Sequence, residues 1–578
     1  MQRTIALLCA IGACALLGYG MTRPVERDIT WIMLLWAAAP LLLIAARLSM
    51  PTPPRGTARS IYNLGLIIVV GFGLLAAQLL RQQYISAAAI SSYSHTDPLT
   101  GETTSNVRPV LAALRVRRGE IRDRNGVVLV STRIAADNYA VRTYPIAERF
   151  DARAFGNVVG FFSSRFGQSG VEASYGDYLN GSRDSIIALQ ESLLGRPGTG
   201  DDVTLTIDAA LQAAAFDIIG DRRGSIVVLD SQTGAVLAMV SRPGFDPRGL
   251  AFDPTVPRAD ENARIDAAWR AINADAAGQP LLNRPTQGRY PPGSTYKAIT
   301  AIGALQYARE VQPDTIDCPN TRETEVGAPP VVNAVDDLAV RTGNPSNLER
   351  VFAYSCNTAF AEYALRLGPD RMAEIAARFD IVVPQDADAS DTTLADLPGV
   401  PSLLYADPGF LNRRPALADT GYGQGQLLVT PLQMALVAAA VANDGVIMQP
   451  YLVQRVTRAD GTVLRNNAPR TLRRAMSGEV AATMRRNMRA VVEYGFGQAA
   501  GEVPGVQVGG KSGTAEFPCP VDGDPGRICT HAWYIALAPV EQPRFAVVVM
   551  IEGGGEGSSV GAATAGAVLR AAFSTVQP

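Results

Sequence analysis

The sequence predicts a membrane-anchored α+β protein in which an antiparallel sheet is packed with helices. Three apolar stretches open the chain, and strand-like patterns lie at both ends of region 224–578, with an Ala-rich, helical stretch between them. The length is greater than one domain usually needs. The expected divisions are a membrane region, a small intermediate domain and a larger C-terminal domain, at residues 1–80, 81–223 and 224–578.

The apolar stretches predict three membrane-spanning helices. Ile61–Leu80 is long enough to cross the hydrocarbon core and Ile29–Ala46 is nearly so. Ile5–Tyr19 is shorter and could instead be the apolar part of a cleaved signal. Loop 47–59 carries three Arg and no acid, whereas loop 22–28 balances two Arg against two acids. This asymmetry predicts a cytoplasmic N-terminus and a C-terminal region that lies outside the cytoplasm.

The intermediate domain contains three local signals. Residues 118–130 predict two strands joined at the turn Asn125-Gly126, with flanking charges that form salt bridges. A helix is expected from Gly170 to a glycine cap at Gly181. Asp208–Ile219 predicts a second, amphipathic helix.

The C-terminal domain has strand patterns at its two ends. Ser225–Leu229 and Ala235–Val240 predict a hairpin around Thr233-Gly234. Ala532–Ala536 and Phe545–Ile551 predict two more strands, and a helix is expected at Gly561–Phe573. Helices packed on such a sheet give the expected α+β arrangement.

Composition and cysteines fit a secreted, globular region. The chain is 47% hydrophobic and 18% charged with a formal net charge of −2, and no basic block suggests nucleic acid as a partner. Cys519 and Cys529 flank a polar loop in an oxidising compartment, so a disulfide is expected, the alternative being two free thiols. Cys356 is expected to be a small buried residue, and Cys318 has no assignment.

Lys297 and Lys511 are the only lysines in the chain, and the other fifty of its fifty-two Lys and Arg residues are Arg. A guanidinium stays protonated, whereas a desolvated ammonium can give up its proton, so both lysines mark positions that Arg does not serve. Ser294 lies three residues before Lys297, which puts the two on one helix face. A lysine with a lowered pKa can then activate the serine as a base.

The three short motifs together are a more specific functional signal than any one of them alone. Ser294-x-x-Lys297 arises by chance roughly once in fifteen lysines, because Ser is common. Ser355-x-Asn357 alone is typical of turns and caps, and Lys511-Ser512-Gly513 alone suits a strand end. Together and in this order they form the S-x-x-K, S-x-N, K-S-G set of serine acyltransferases. His95 and His531 lack a triad context.

The chain resembles a class B penicillin-binding protein, a monofunctional peptidoglycan D,D-transpeptidase, over nearly everything after Leu80. The resemblance rests on the three motifs above and on further segments, and the intermediate domain is most similar to actinobacterial elongation- or division-type proteins. Those segments are Arg118-Gly119-Glu120-Ile121, Gly170-Val171-Glu172, Tyr290–Lys297, Gly423-Gln424-Gly425, Thr430–Ala435, Lys511–Glu516 and His531–Tyr534. It implies the penicillin-binding-protein transpeptidase fold with a small pedestal or dimerisation-like domain at 81–223. The family usually has one membrane anchor, so three spans depart from its pattern.

The resemblance implies a role for each motif residue. Ser294 would attack the penultimate carbonyl of a stem peptide ending in D-Ala-D-Ala, with Lys297 as base and Ser355 and Asn357 relaying a proton and holding the substrate amide. Lys511 would supply a positive potential. In the strand Ser512-Gly513-Thr514, the side chains of Ser512 and Thr514 would bind the substrate carboxylate. The backbone N–H groups of Ser294 and Thr514 would form the oxyanion hole.

The resemblance also implies partners. β-Lactams would inhibit covalently, and a polytopic glycan polymerase of the SEDS type would supply glycan, because the chain has no glycosyltransferase region. No metal or cofactor is implied. The location expected is the bacterial cell membrane, with the catalytic domain outside the cytoplasm.

Other functions fit parts of the same pattern. A β-lactamase or a D,D-carboxypeptidase would use the same site for hydrolysis, although the spans and the intermediate domain favour a wall synthase. A β-lactam sensor would need an intracellular output domain, for which the loop between the second and third spans is too short. A non-catalytic activator of a glycan polymerase would not need Ser294 and both lysines.

Overall fold

The structure is a computed structural model. It describes residues 2–22, 28–50, 56–86, 94–96, 103–105, 114–135, 138–183, 198–384, 394–519, 524 and 526–576. These residues form two compact units, within 1–113 and 114–578.

The N-terminal unit contains three apolar helices, as the sequence predicts. They are α1 (Gln2–Met21), α2 (Asp28–Ser49) and α3 (Thr57–Leu80), and each is long and apolar enough to cross a membrane. α1 packs along α2, and α2 contacts α3. One π-helical turn, Arg81–Ile85, continues α3, and a short hairpin pairs β1 (Ser94–Thr96) with β2 (Thr103–Ser105).

A polar cluster joins the start of α2 to the end of α3. The Trp31 indole N–H donates to the Gln78 side-chain oxygen, and the Arg81 guanidinium lies 5.3 Å from the centre of the Trp31 ring. A Cβ on Gly20 of α1 would lie 2.5 Å from that ring, so only glycine lets α1 approach it. Trp and Arg are typical of the membrane–water interface, which fits the position of the cluster at the helix ends.

The second unit contains the remaining strands and helices. Its strands are β3 (Ile121–Arg122), β4 (Val128–Ile134), β5 (Ala140–Thr143), β6 (Phe162–Ser163), β7 (Gly167–Gln168), β8 (Asp202–Leu205), β9 (Gly224–Asp230), β10 (Val236–Arg242), β11 (Thr321–Arg322), β12 (Val331–Val332), β13 (Ile381–Val382), β14 (Ser402–Leu403), β15 (Val446–Met448), β16 (Val453–Thr457), β17 (Val463–Asn466), β18 (Thr471–Arg474), β19 (Gly509–Pro518), β20 (Ile528–Ala538) and β21 (Phe545–Ile551). Its α-helices are α4 (Gly156–Val159), α5 (Gly170–Ser174), α6 (Gly176–Leu179), α7 (Ala209–Ile219), α8 (Arg258–Ala274), α9 (Arg284–Gln287), α10 (Lys297–Gln306), α11 (Ala308–Val311), α12 (Leu338–Thr342), α13 (Leu348–Ala353), α14 (Asn357–Ala377, kinked at Gly368), α15 (Arg414–Gly421), α16 (Pro431–Ala442), α17 (Gly478–Glu493) and α18 (Ala562–Thr575).

The main sheet is five-stranded and antiparallel, in the order β10-β9-β21-β20-β19. β21 is an apolar strand rich in β-branched residues, and every one of its residues is buried, as expected for a strand covered on both faces. α16 packs on β9, β20 and β21, and all twelve of its residues are buried. Thr430 caps this helix by accepting a hydrogen bond from the Gln433 N–H. The predicted strands and the predicted α+β class are confirmed.

A second sheet of six strands was not expected from the sequence. Its order is β17-β16-β8-β3-β4-β5, with β3 and β8 parallel and the other pairs antiparallel. β16 and β17 come from the C-terminal half of the chain, so this sheet joins strands from both sides of the boundary expected at residue 223. Pairing across such a long sequence separation leaves no local pattern in the sequence.

The helix expected from Gly170 to Gly181 is divided in the structure. α5 ends at Ser174 and α6 begins at Gly176, because Tyr175 departs from helical geometry with φ −113° and ψ 20°. The phenol of Tyr175 donates to the Asp396 carboxylate, a contact that comes from a distant part of the chain. The prediction of one continuous helix was therefore wrong.

A buried charge network holds the segment before β3 in place. Arg118 and Arg142 both donate to the Glu172 carboxylate, at 2.8 and 2.6 Å, and Arg142 also donates to the Gly119 carbonyl at 2.7 Å. Glu172 is completely buried and each Arg side chain is at most 4% exposed. Removing one partner of such a network leaves the other charges buried without compensation.

We expect Glu172→Gln to lower the free energy of unfolding of the full chain by about 3–5 kcal/mol, because two guanidinium groups lose their counter-charge. Urea unfolding followed by tryptophan fluorescence measures the change. Glu541→Gln removes the same charge from an exposed turn and is the matched control. A loss for Glu172→Gln that equals the loss for the control would contradict this account.

Candidate active site

The three motifs converge beside the edge of the main sheet. Ser294 lies in the 3-10 turn Gly293–Tyr296, which runs directly into α10, and Lys297 is the first residue of that helix. Ser355 precedes α14, and Lys511 lies on β19, the last strand of the sheet order. The structure therefore brings together residues more than two hundred positions apart in the sequence.

Close backbone contacts fix the position of the nucleophile turn. Gly293 has φ +53° and its N–H donates to the Gly423 carbonyl at 3.0 Å. A Cβ on Gly293 would lie 2.5 Å from the Thr514 carbonyl oxygen, and one on Gly423 would lie 1.9 Å from the Gly293 carbonyl oxygen. Only glycine fits both positions, so the turn can lie directly against β19.

Both lysines contact the Ser355 hydroxyl. Lys297 Nζ donates to Ser355 Oγ at 3.0 Å, to the Ser355 carbonyl at 2.6 Å and to Asn357 Oδ1 at 2.7 Å. Lys511 Nζ donates to Ser355 Oγ at 2.9 Å and to the Ser512 carbonyl at 2.9 Å. Ser355 Oγ thus accepts two hydrogen bonds, which occupies its lone pairs and leaves its own hydrogen for a further acceptor.

Ser355 reaches both lysines from an unusual backbone conformation. Its φ of 55° lies in the left-handed region, which a residue with a Cβ adopts at a cost of about 1–2 kcal/mol. Such strain persists where surrounding contacts over-determine it, and here the carbonyl and the hydroxyl are both held by lysines.

Burial and charge alter the protonation of both lysines. Each side chain is completely buried. Burial, with the positive charge of Lys511 second, holds the pKa of Lys297 well below its usual range. Burial alone lowers the pKa of Lys511 to about 7. Both shifts favour the neutral amine, and at Lys297 the charge of Lys511 adds to the effect of burial.

A cavity of about 500 Å³ opens over these groups. Ser294, Ser355 and Asn357 lie on one side of it, and Ser512 and Thr514 lie on the β19 side. Ser294 is half-buried, so a ligand can reach it. The Thr514 hydroxyl oxygen accepts a hydrogen bond from the Gly557 N–H at 3.2 Å. The cavity also has wall residues that the sequence analysis did not single out as site residues, namely Val332, Asn333, Ala334, Val335, Leu338, Tyr354, Tyr422, Gln424, Phe496, Glu516, Glu556 and Ser558.

A disulfide lies inside the second motif. Cys356 is bonded to Cys318, so the expectation that Cys356 is only a small buried residue was incomplete and Cys318 gains its assignment. The bond holds the β11–β12 region against the site, where the Asn357 side chain donates to the Val332 carbonyl at 2.9 Å. Two cysteines 38 residues apart carry no spacing that predicts their pairing. Cys519 and Cys529 are bonded to each other, which is the pairing expected from their spacing.

The segment before Ser294 is held by a charged group. The Tyr290 phenol donates to Glu552 Oε1 at 2.8 Å, and buried Arg284 donates to the same oxygen at 2.7 Å. His531 packs nearby, stacked on Phe517 with ring centres 3.9 Å apart, and its Nδ1 accepts from the Gly553 N–H. Burial lowers the pKa of His531 to about 4, which suits a neutral ring in the core.

The fold and this site define a serine acyltransferase of the penicillin-binding class, and comparison with known proteins agrees. A family model described as the penicillin binding protein transpeptidase domain matches residues 224–573, which is more than half of the chain. A second, described as the penicillin binding protein A dimerisation domain, matches residues 118–203. The chain belongs to the penicillin-binding-protein transpeptidase family.

Particular relatives are similar over most of their length. The peptidoglycan D,D-transpeptidase PbpA of Mycolicibacterium smegmatis is 34% identical over 475 residues, covering 81% of this chain and 90% of the relative. The PbpA of Mycobacterium tuberculosis H37Rv is 32% identical over 488 residues, covering 81% and 90%. Penicillin-binding protein A from M. tuberculosis, solved as a ceftriaxone acyl-enzyme complex, matches with a TM-score of 0.69 at 30% identity, covering 81% of this chain and 100% of that chain.

The two lysines give a direct test of the site's electrostatics. We expect ¹³Cε-lysine labelling to yield two signals, one titrating near pH 7 from Lys511 and one titrating well below the ordinary lysine range from Lys297, because both ammonium groups are desolvated. Lys511→Arg assigns the signals by removing one of them. A signal from either lysine that titrates near the ordinary value of about 10.4 would contradict the buried geometry.

Proposed function

We propose that this protein is a peptidoglycan D,D-transpeptidase that forms its acyl-enzyme on Ser294. The observation that carries the proposal is the convergence of Lys297 and Lys511 on the Ser355 hydroxyl, at a cavity that also contains Ser294. Membership of the family and the names of the PbpA relatives support the choice of substrate. The same groups would react with β-lactams, as the ceftriaxone complex of the M. tuberculosis protein supports.

In the proposed acylation, neutral Lys297 takes the proton of the Ser294 hydroxyl. Ser294 Oγ then bonds to the penultimate D-Ala carbonyl carbon, and the N–H groups of Ser294 and Thr514 bind the oxyanion. The C–N bond breaks and the terminal D-Ala leaves as an amine, which needs one proton. Ser355 can deliver it, because its hydrogen is free while its oxygen accepts from both lysines, and Lys297 then passes the proton taken from Ser294 to Ser355 Oγ.

Substrate binding is proposed for the strand side of the cavity. Ser512 and Thr514 would donate to the terminal carboxylate, and the Lys511 ammonium would supply a positive potential behind them. Gly513 lies between them and lets the nucleophile turn approach β19, since a Cβ there would lie 2.8 Å from the Pro292 carbonyl oxygen. Asn357 would hold the substrate amide. These positions support a substrate that ends in D-Ala-D-Ala.

The acyl-enzyme is then resolved by the amine of a neighbouring stem peptide. The amine attacks the ester carbonyl, the ester C–O bond breaks, and the proton lost by the amine returns to Ser294 through Lys297. Hydrolysis by water at the same site would make the protein a β-lactamase or a D,D-carboxypeptidase, and the survival time of a penicilloyl adduct separates these functions. A non-catalytic activator would form no adduct.

We also propose a location, a role for each region of the chain and a partner protein. Residues 1–80 anchor the chain in the bacterial membrane, 81–223 serve as a pedestal, and 224–578 form the transpeptidase domain outside the cytoplasm. The three apolar helices support the anchor, and the match to a dimerisation domain supports the pedestal. A polytopic glycan polymerase of the SEDS type is the proposed partner, because a transpeptidase needs glycan that another protein makes.

We expect three substitutions to separate the roles at Ser294. Ser294→Ala should abolish penicillin labelling. Lys297→Arg should reduce the acylation rate at least a thousandfold, because a guanidinium cannot accept the proton. Lys511→Arg keeps the charge and should retain measurable acylation with weaker β-lactam binding. Stopped-flow acylation by a chromogenic cephalosporin measures all three, and equal rates for Lys297→Arg and Lys511→Arg would contradict the proposed base.

The topology can be tested by thiol accessibility. We expect Val25→Cys to react with a membrane-impermeant maleimide in intact cells and Thr57→Cys to react only after lysis, because the Arg-rich loop stays inside. The unchanged chain is the control, with Cys9 and Cys14 inside α1. Labelling at position 57 in intact cells would overturn the orientation, and a mature protein from which Ile5–Tyr19 has been cleaved would overturn the first span.

A further inference from the structure

Strand β19 presents a row of three side chains to the catalytic cavity. Ser512, Thr514 and Glu516 are spaced by two residues, so they point to the same side of the strand, and all three line the cavity. The first two are the proposed carboxylate-binding residues. Glu516 is the next member of the row, and it is exposed.

Positively and negatively charged side chains occupy different positions around the cavity. The two cationic side chains of the site, Lys297 and Lys511, are buried behind Ser355. The charged residues that line the cavity itself are Glu516 and Glu556. The Glu556 carboxylate accepts a hydrogen bond from Ser558 at 3.3 Å, whereas within the described part of the chain the Glu516 carboxylate has neither an ion-pair nor a hydrogen-bond partner. The potential along β19 therefore changes from positive at Lys511 to negative at Glu516.

The spacing of residues along β19 indicates which part of a bound substrate lies beside Glu516. β19 is the last strand of the described sheet, and an extended peptide can pair with such an edge. With the terminal carboxylate at Ser512 and Thr514 and the penultimate carbonyl at Ser294, the peptide leads along β19 toward Glu516. Residues two apart in an extended chain lie about 7 Å from each other, in the peptide as in β19. The residue just before D-Ala-D-Ala therefore lies beside Glu516.

We propose that Glu516 is a specificity-determining residue that binds the side-chain ammonium of the residue immediately before D-Ala-D-Ala in the donor peptide. The preferred donor is then a stem peptide whose third-from-last residue is a diamino acid with a free amine. The inference rests on the proposed function, since it takes the position of the donor from Ser294, Ser512 and Thr514. The carboxylate of Glu516 acts only on binding and takes no part in the proton transfers.

Two synthetic peptides that differ in one charge provide the test. They are Nα-acetyl-L-Lys-D-Ala-D-Ala, with a free ε-ammonium, and Nα,Nε-diacetyl-L-Lys-D-Ala-D-Ala, without one. The full chain in detergent is incubated with each peptide, and protection of Ser294 from fluorescent penicillin is measured together with release of D-Ala. We expect the ammonium peptide to protect at an approximately five-fold lower concentration, the effect of one partly exposed charge pair.

Substitutions at Glu516 should change the ratio between the two peptides. Glu516→Gln should bring the ratio to about one, and Glu516→Lys should reverse it in favour of the diacetyl peptide. Glu556→Gln is the matched control, because it removes a carboxylate from the same cavity but not from the β19 row, and it should keep the preference. Added salt should weaken the preference of the unchanged chain, since the pair is exposed to solvent.

The outcomes separate this inference from the proposed function. Equal protection by both peptides in the unchanged chain, or an equal loss of preference in Glu516→Gln and Glu556→Gln, would overturn the assignment to Glu516 and leave the transpeptidase proposal intact. Penicillin labelling of Ser294 with no protection by either peptide would contradict the peptide substrate itself, and the inference with it.

Discussion

The structure of the site depends on one constraint, which is the burial of two ammonium groups around a single hydroxyl. An unpaired charge in the protein interior is strongly unfavourable, so each ammonium needs oxygen acceptors or must lose its proton. Lys297 and Lys511 share Ser355 Oγ and obtain their remaining acceptors from the Ser355 and Ser512 carbonyls and from Asn357. The burial that makes these acceptors necessary also lowers both pKa values, so one constraint governs the packing and the reactivity of the site.

For both lysines to contact Ser355, the nucleophile turn and α10, the segment before α14 and strand β19 must lie close together. Gly293 and Gly423 allow the nucleophile turn to lie against β19. The Cys318–Cys356 disulfide and the Asn357 side chain hold the second motif to the β11–β12 region. The fully buried helix α16 packs against β9, β20 and β21 of the main sheet. A close-packed support of this kind keeps the reacting groups and the oxyanion donors in position, and both effects favour acyl transfer.

Next to the catalytic residues, the cavity has a positively charged part and a negatively charged part. Positive charge lies at Lys511, beside the proposed carboxylate-binding residues of β19, and negative charge lies at Glu516, further along the same strand. The period of two along β19 connects the catalytic centre to substrate selection, because Ser512, Thr514 and Glu516 share one face. The second sheet, which contains strands from residues 121–205 and 453–466, ties the intermediate region to the catalytic region and does not contribute to this cavity.

The sequence by itself determined the local features and the chemistry. Alternation and apolar runs predicted β9, β10, β20 and β21, apolar length predicted α1 to α3, and the scarcity of lysine singled out Lys297 and Lys511. Only the tertiary structure decided the contacts between distant segments: the pairing of β16 with β8, the break at Tyr175, the bond from Cys318 to Cys356 and the position of Ser355 between two ammonium groups. Periodicity and residue type act over a few neighbouring positions, whereas these contacts depend on how the chain packs in three dimensions.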